Sequence, residues 1–217
     1  MTKYIIFGAS GMVGAELVKI CEAKNLDYIG VYRKTPKYLN INQSKAWIGN
    51  IEDFPPQLFN NSHIFCCIGS SIESAKSEEN FLKIAVDLPI SIAKNSSINN
   101  ALSFNIISGA FPSSKSKILY VKAKGLLEEQ LLPIKFKNLN IFRPSFLKGN
   151  RVEFRLNEKI ILFILKPLNF IFNLPFLLKF KLMPSSLLAK AMLYVAQNYS
   201  GVNIFNNYDI HKLKNKI

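Results

Sequence analysis

Residues 4–14 decide the fold, and they read YIIFGASGMVG. The apolar run 4–7 is of the kind that a buried parallel strand shows. A glycine turn of the spacing G-x-x-G-x-x-G follows, and Val13, Leu17, Ile20 and Cys21 then recur on one face of a helical pattern. A tight turn between a buried strand and a helix directs backbone N–H groups and the helix dipole at one point, which suits a pyrophosphate. We therefore predict a dinucleotide site, the alternative being a turn that serves packing alone.

Each glycine of the turn has a distinct expected use. Gly8 permits the tight turn, Gly11 lets the backbone approach the phosphates, and Gly14 lets the helix pack closely on the sheet. The spacing of these glycines differs from the commoner G-x-G-x-x-G. The prediction of a dinucleotide site therefore depends on the position of the turn directly after the first strand.

Five further apolar runs are candidate strands, and helix-length segments separate most of them. This alternation predicts an α/β fold, a doubly wound parallel sheet of the Rossmann type with helices on both faces. We expect residues 1–150 to form the dinucleotide-binding part and residues 151–217 a small, mostly helical lobe integrated with it in one structural domain. The five runs are residues 28–32, 46–48, 63–68, 103–107 and 139–142.

The end of the second run indicates which dinucleotide binds. A site for NAD(H) usually places a carboxylate about 20 residues after the glycine turn, where it holds the ribose 2′-hydroxyl. Here the chain reads Tyr32-Arg33-Lys34, with no acid. Because a guanidinium can bind a 2′-phosphate through two hydrogen bonds, we predict NADP(H) rather than NAD(H), held by Arg33. The alternative is a solvated basic loop.

Tyr120 and Lys124 are four residues apart on one face of a predicted helix. A neighbouring ammonium favours the phenolate and brings a group of pKa about 10 toward neutral pH. The spacing alone decides nothing, because Tyr208 and Lys212 repeat it. Tyr120, however, follows Ser108 at the carboxyl end of an apolar run, where open α/β sheets bind ligands. Tyr208 lacks a comparable strand end in the sequence pattern.

Taken together, these segments resemble the short-chain dehydrogenase/reductase superfamily, in its atypical or extended branch. The similarity is closest to the Tat-interacting-protein-like oxidoreductases. It spans residues 4–150, with weaker matches at 183–184, 191–192 and 210–211. The segments are GASGMVG (8–14), FCCIGS (65–70), IISG (106–109), YVKAKG (120–125) and IFRP (141–144).

The resemblance implies a role for each site residue. Tyr120 would be the general acid/base, Lys124 would hold the nicotinamide ribose and lower the pKa of the tyrosine, and Ser108 would orient the substrate carbonyl. Gly109 stands where a second serine is common. The implied cofactor contacts are Gly8, Ser10, Gly11, Met12, Val13, Gly14, Arg33 at the 2′-phosphate, Asn50 near the adenine, Gly69 under the cofactor, Lys124, and Pro144 in the nicotinamide pocket.

Two functions follow from these residues. The first is an NADP(H)-dependent oxidoreductase that transfers hydride to or from a small carbonyl or alcohol substrate. The second is a non-enzymatic NADP(H)-binding regulator or assembly factor that docks on a protein or a membrane. Retention of Tyr120 and Lys124 favours the enzyme.

Residues 160–178 read IILFILKPLNFIFNLPFLL and are flanked by basic residues. A transmembrane span fits poorly, since two prolines, two asparagines and a lysine fall inside the stretch. The remaining alternatives are a lid over the substrate site, a face of a homo-oligomer, and a peripheral contact with an anionic membrane.

Charge and composition limit the remaining kinds of partner, compartment and metal site. Of the formal charge of +14, residues 1–108 carry +1 (10 basic, 9 acidic) and residues 109–217 carry +13 (18 basic, 5 acidic). No nucleic-acid-binding module is recognisable, so we expect no nucleic-acid partner. Three cysteines without framework spacing indicate a reduced, cytoplasmic setting, and two histidines give no recognisable metal site.

Overall fold

Nine strands form in the parts of the chain that the structure, a computed structural model, describes: residues 2–36, 41–70, 72–149 and 181–217. In chain order they are β1 (Lys3–Phe7), β2 (Tyr28–Tyr32), β3 (Ala46–Ile48), β4 (Ser62–Cys66), β5 (Ser103–Ile107), β6 (Asn138–Arg143), β7 (Leu147–Lys148), β8 (Met183–Pro184) and β9 (Gly201–Asn206). Seven of them pair in parallel in the order β3-β2-β1-β4-β5-β6-β9, and β7 pairs with β8 in a small second sheet.

Helices cover both faces of the large sheet. They are α1 (Met12–Ala23), α2 (Ile72–Ala75), α3 (Glu78–Leu82), α4 (Leu88–Ile98), α5 (Leu119–Leu131), α6 (Ser185–Asn198) and α7 (Asn207–Leu213). A π-helical turn, Lys83–Asp87, joins α3 to α4, and short 3-10 turns lie at Gln43–Lys45, Ile51–Asp53, Pro56–Phe59 and Lys214–Lys216. No helix within these ranges is long and apolar enough to cross a bilayer.

Alternate residues of each strand supply two separate cores. Phe7 and Cys66 belong to the core under α3, α4 and α5, whereas Ile6, Phe65 and Cys67 contact the core under α1 and α6. This alternation is what a parallel sheet buried on both faces requires. It also separates the adjacent thiols of Cys66 and Cys67, and all three cysteines of the chain are free.

The predicted doubly wound parallel sheet is confirmed, and all six predicted strands are present in the large sheet. The seventh, β9, was not expected. It lies beyond residue 150, so the sheet itself draws on the carboxyl-terminal part of the chain, where α6 and α7 are helical as expected. The apolar stretch 160–178 and its predicted lid, oligomer or membrane role lie outside the described residues.

A row of three amide side chains, two buried and one half-buried, joins neighbouring strands of the sheet. Asn105, Asn140 and Asn203 occupy matching positions on β5, β6 and β9. Asn140 donates to Asn105 Oδ1 (2.8 Å) and Asn203 donates to Asn140 Oδ1 (3.1 Å). Asn105 in turn donates to the Ile64 carbonyl at 3.0 Å. These bonds satisfy polar groups that would otherwise be costly inside the core.

Candidate functional site

The glycine turn connects β1 to α1 by a conformation that only glycine adopts easily. Gly8 has φ +76°, and a Cβ there would lie 2.8 Å from the carbonyl carbon and oxygen of Cys67. The Gly11 amide then donates to the Gly8 carbonyl at 2.9 Å, which closes the turn. The strand end of β4 therefore packs directly against the turn, as the predicted use of Gly8 requires.

Gly14 brings the first helix onto the turn. A Cβ at Gly14 would lie 2.2 Å from the Gly8 carbonyl oxygen, so no other residue fits without moving the backbone. Gly11 is the N-cap of α1 and provides no capping side chain. The amides of the first helical turn thus lack a side-chain acceptor from the cap, which suits an anion at this helix end.

Other predicted contacts are distributed around this turn. Ser10 is exposed and Met12 is half-buried, whereas the Val13 side chain is 3% exposed and belongs to the core. Only the backbone of Val13 is therefore available to a ligand. A Cβ on Gly149 would lie 3.5 Å from Met12 Sδ, so the loop after β7 runs over the start of α1.

Four of the predicted contact residues follow the carboxyl ends of strands. Arg33 comes directly after β2, Asn50 two residues after β3, Gly69 three residues after β4, and Pro144 directly after β6. Because all these strands are parallel, the four residues lie at one edge of the sheet. Arg33, Asn50 and Gly69 are exposed, and a Cβ on Gly69 would meet no atom within 4 Å.

The loop after β5 meets helix α5 at the predicted catalytic residues. A Cβ on Gly109 would lie 3.1 Å from Tyr120 Oη and 3.3 Å from Lys124 Cγ. Gly109 therefore lets the residues that follow Ser108 pack directly against Tyr120 and Lys124. Ser108 is 2% exposed, and its buried hydroxyl has no hydrogen-bond partner among the residues that the structure describes. A buried hydroxyl in that state calls for a partner, which a ligand at this edge would supply.

Lys124 is a buried ammonium, 6% exposed. It donates to the Ile107 carbonyl at 3.3 Å, and its Nζ lies 5.8 Å from the centre of the Tyr120 ring. Burial lowers the pKa of Lys124, while the nearby Glu128 carboxylate acts in the opposite direction. Burial also raises the pKa of the Cys66 thiol to about 12, so this cysteine is a neutral neighbour at pH 7.

Sequence reasoning missed an ion pair behind the lysine. Glu128, one helical turn beyond Lys124, is 4% exposed and accepts from Arg143 Nε at 3.0 Å and from Arg143 Nη2 at 2.5 Å. This pairing raises the pKa of Arg143. It ties α5 to the end of β6, just before Pro144. The four-residue spacing of Lys124 and Glu128 predicts that they share a helix face, but no sequence signal identifies Arg143 as the partner of Glu128.

A second missed residue is Gly125. A Cβ there would lie 2.1 Å from the Ser114 amide nitrogen and 2.3 Å from the Ser113 carbonyl carbon. The loop that leads into α5 therefore lies directly on the middle of that helix. This close approach helps to fix the orientation of the helix face that carries Tyr120 and Lys124.

The second tyrosine–lysine pair has a different setting. The expectation that Tyr208 has no strand end near it is wrong, because β9 ends at Asn206, only two residues earlier. Lys212 Nζ lies 4.3 Å from the Tyr208 ring, closer than in the first pair. Lys212 is nevertheless exposed, whereas Lys124 is buried. Burial of the ammonium, rather than distance, separates the two pairs.

In the described ranges, no three side chains of His, Cys, Asp or Glu are grouped closely enough to hold a metal ion. The groups that the site offers to a ligand are therefore glycine backbone, one buried hydroxyl, a phenol and cationic side chains. Those groups suit a phosphate-containing organic cofactor.

The sheet order and the turn between β1 and α1 define the class of the extended short-chain dehydrogenase/reductases, and sequence comparison agrees. The mitochondrial protein FMP52-2 of Scheffersomyces stipitis is 32% identical over 171 residues, which are 74% of this chain and 73% of that protein. Rat HTATIP2 is 29% identical over 160 residues, 70% of this chain and 66% of that protein. The chain belongs to the family of FMP52 and HTATIP2-like proteins within that superfamily. No protein-family profile matches the sequence.

Solved structures share the fold at low identity. The Bordetella bronchiseptica enzyme WbmH, in complex with NAD+, superposes with a TM-score of 0.69 at 16% identity, over 95% of this chain and 75% of that one. ChuY, an anaerobilin reductase of Escherichia coli O157:H7, superposes with a TM-score of 0.63 at 12% identity, over 94% of this chain and 95% of that one. The fungal relatives are named as mitochondrial, so the cytoplasmic setting of this chain stays a prediction.

Proposed function

We propose that this protein is an NADP(H)-dependent oxidoreductase that interconverts a carbonyl compound and its alcohol. The observation that carries the proposal is the cluster after β5. There the buried, unpartnered hydroxyl of Ser108 precedes Gly109, whose backbone packs against Tyr120 and Lys124. A hydroxyl without a partner, a phenol and a buried ammonium are the groups that a polarised carbonyl needs.

The residues at the carboxyl edge fit a nicotinamide dinucleotide. The Gly8–Gly14 turn presents backbone amides to a pyrophosphate, and the open space beside Gly69 leaves room for a ligand to pass. WbmH and MoeE5, which share the fold, are described in complex with NAD+ and NAD respectively. Arg33 at the end of β2, with no acid beside it in Tyr32–Lys34, favours the 2′-phosphate of NADP(H).

The chain's own residues would handle the proton. A bound nicotinamide would supply or accept the hydride. In the direction of reduction, Ser108 Oγ donates a hydrogen bond to the substrate oxygen and Tyr120 Oη transfers its proton to that oxygen. The ammonium of Lys124, 5.8 Å from the centre of the Tyr120 ring, would stabilise the phenolate that results, although Tyr120 itself is 43% exposed.

The first test is a fluorescence titration with NADPH and with NADH. We expect the wild-type protein to bind NADPH at least about tenfold more tightly than NADH, because the guanidinium pairs with the 2′-phosphate. Arg33→Gln should weaken NADPH binding and leave NADH binding unchanged. Lys34→Gln, one residue further on, is the matched control and should change the preference less. Equal binding of both cofactors would remove Arg33 from the proposal.

The second test separates catalysis from binding. Oxidation of NADPH is followed with a panel of aldehydes and ketones, for wild type, Tyr120→Phe and Tyr208→Phe. We expect Tyr120→Phe to lose turnover by at least about 100-fold with NADPH affinity retained, because only the proton donor is removed. Tyr208→Phe carries the same change in the second tyrosine–lysine pair and should keep full activity. Full activity of Tyr120→Phe would contradict the assigned role.

A further inference from the structure

Phe111, three residues after Ser108, has a strained backbone conformation. Its φ is +54°, in the left-handed region, where a bulky side chain is rare and costly. The residue before a proline, here Pro112, is in addition biased toward extended backbone. In the ranges that the structure describes, the other non-glycine residues of positive φ are three asparagines and one lysine, so Phe111 is the one aromatic residue among them. Strain of this kind occurs preferentially at ligand sites.

The loop that carries Phe111 is packed on helix α5 at both ends. Before Phe111, a Cβ on Gly109 would lie 3.1 Å from Tyr120 Oη. After it, the Ser113 amide donates to the Val121 carbonyl at 3.2 Å. Phe111 therefore stands in a short arch between two contacts with the helix that carries the proposed proton donor. These contacts fix its position, which explains how the strained conformation is maintained.

Three exposed apolar side chains lie at the edge of the sheet where Tyr120 is placed. Phe111 is 60% exposed, and Ile118, two residues before Tyr120, is 65% exposed. Phe146 is 56% exposed and follows β6, the strand that pairs with β5. Single exposed apolar residues are common, but a group of them beside a ligand site indicates an apolar ligand surface. We call Phe111, Ile118 and Phe146 the apolar rim.

The loop offers few free hydroxyl groups beside this rim. Of the three serines between residues 110 and 118, two are already bonded within the protein. Ser114 Oγ donates to Glu129 Oε1 at 2.5 Å, and Ser116 Oγ accepts from the Ile118 amide at 3.1 Å. A sugar substrate needs polar partners for its hydroxyls, because leaving them unpaired on burial is costly. An alkyl or aryl group needs none, so the rim favours an apolar substrate.

We propose that the substrate is a carbonyl compound with an apolar alkyl or aryl body, and that Phe111 selects it by packing against that body. The inference rests on the proposed oxidoreductase function and names its substrate class. The carbonyl oxygen lies at Ser108 and Tyr120, and the rest of the substrate extends over the apolar rim. Each methylene that contacts the rim then leaves water and strengthens binding.

The primary test compares kcat/KM for the NADPH-dependent reduction of butanal, hexanal, octanal and glyceraldehyde. In wild type, kcat/KM should rise about two- to fourfold for each added methylene, and glyceraldehyde should be the poorest substrate. Phe111→Ala should lower kcat/KM for octanal at least about tenfold, through KM, and for butanal less than about threefold. Equal kcat/KM for all four aldehydes, with turnover that still depends on Tyr120, would overturn the substrate class and leave the proposed function intact.

Two further variants separate selectivity from structure. Ile98→Ala removes an apolar residue that is 77% exposed at the end of α4, before β5 begins, and should keep the wild-type series of kcat/KM. In Phe111→Gly, glycine adopts the positive φ without strain, so the urea midpoint should stay or rise while the preference for octanal is lost. Loss of this preference only in variants whose urea midpoint falls would assign Phe111 a structural role and overturn the proposal.

A binding measurement tests the apolar site without turnover. Octanol is titrated into the NADPH-saturated protein, and Phe111→Ala should weaken octanol binding at least about fivefold with unchanged NADPH affinity. If no aldehyde is reduced, the proposed function is contradicted, and the octanol titration still decides whether the site is apolar. No octanol binding, or equal binding by wild type and Phe111→Ala, would overturn the role of Phe111.

Discussion

Lys124 places a charge where the protein core disfavours it, because it is 6% exposed and burial lowers its pKa. The Lys124 side chain binds its proton more tightly in the unfolded chain than in the folded one. The free energy of unfolding therefore rises with pH between the lowered pKa of the folded state and the ordinary value of 10.5. Below that range the charge on this buried side chain costs stability. That cost is understandable if the charge serves the ligand site.

Replacing this lysine should therefore separate stability from binding. We expect Lys124→Met to keep or raise the melting temperature at pH 7, since the desolvated charge is gone, while NADPH affinity falls by about tenfold or more. Lys122→Met, on the same helix but not buried, is the control and should change neither quantity. Thermal unfolding and cofactor titration measure the two effects. A marked loss of stability in Lys124→Met would assign the residue a structural role.

A second prediction concerns two of the glycines. Gly14→Ala should lower the free energy of unfolding by about 2–4 kcal/mol, because its Cβ would lie 2.2 Å from the Gly8 carbonyl oxygen. Gly69→Ala meets nothing within 4 Å and should leave stability unchanged. If a cofactor passes over Gly69, this second variant should weaken NADPH binding all the same. Urea unfolding and titration of both variants provide the comparison.

Sequence could identify the site residues only in part. The turn glycines are visible because their spacing and position imply a backbone requirement, which the contacts of Gly8 and Gly14 bear out. The two tyrosine–lysine pairs look identical in sequence, and only the fold shows that Lys124 is buried and Lys212 is not. The roles of Arg33, Asn50 and Pro144 remain predictions.

Among the elements, helix α5 and strand β6 are held together by the Glu128–Arg143 pair. Glu128→Gln should lower the free energy of unfolding by about 2 kcal/mol, because it leaves a partly buried guanidinium without its carboxylate. Glu79→Gln removes the exposed pair with Lys83 and is the matched control; it should leave the urea midpoint unchanged. Glu128→Gln/Arg143→Met should recover part of the loss. Equal midpoints for Glu128→Gln and wild type would contradict this account.

The strands differ in how clearly the sequence predicts them. The inner strands are continuous apolar runs because both faces are buried, and these were predicted. Strand β9 is an edge strand in which two apolar residues face solvent and the half-buried Asn203 bonds to Asn140, so its pattern, GVNIFN, matches neither a buried run nor a polar loop. Its pairing with β6 depends on contacts between residues more than 60 positions apart.

The stability of the whole protein in acid should depend on His63. Burial lowers the pKa of His63 from 6.5 to about 4, so the unfolded chain binds this proton first. Stability is fully present above pH 6.5 and falls by up to about 3 kcal/mol as pH drops toward 4. His63→Gln should flatten this part of the curve in urea unfolding at several pH values.

The only other histidine provides a comparison. His211, whose pKa is also lowered by burial and by Lys181 and Lys214, lies on α7 at the other end of the chain. His211→Gln should therefore remove its own part of the decline on acidification and retain the part that belongs to His63. A curve for His63→Gln as steep as that of wild type would show that other groups govern acid unfolding.

The row of amides formed by Asn105, Asn140 and Asn203 helps to determine the register in which β5, β6 and β9 pair. A strand that shifts by two residues against its neighbour keeps its inward and outward faces, so burial of apolar surface barely discriminates against the error. Between β6 and β9 the same shift would set Asn140 opposite Gly201 or Phe205, neither of which has a polar side chain, and between β5 and β6 a shift in one direction would set it opposite Ile107. The amide bonds therefore favour the observed alignment, most of all for β9, which the hydrophobic pattern alone specifies least.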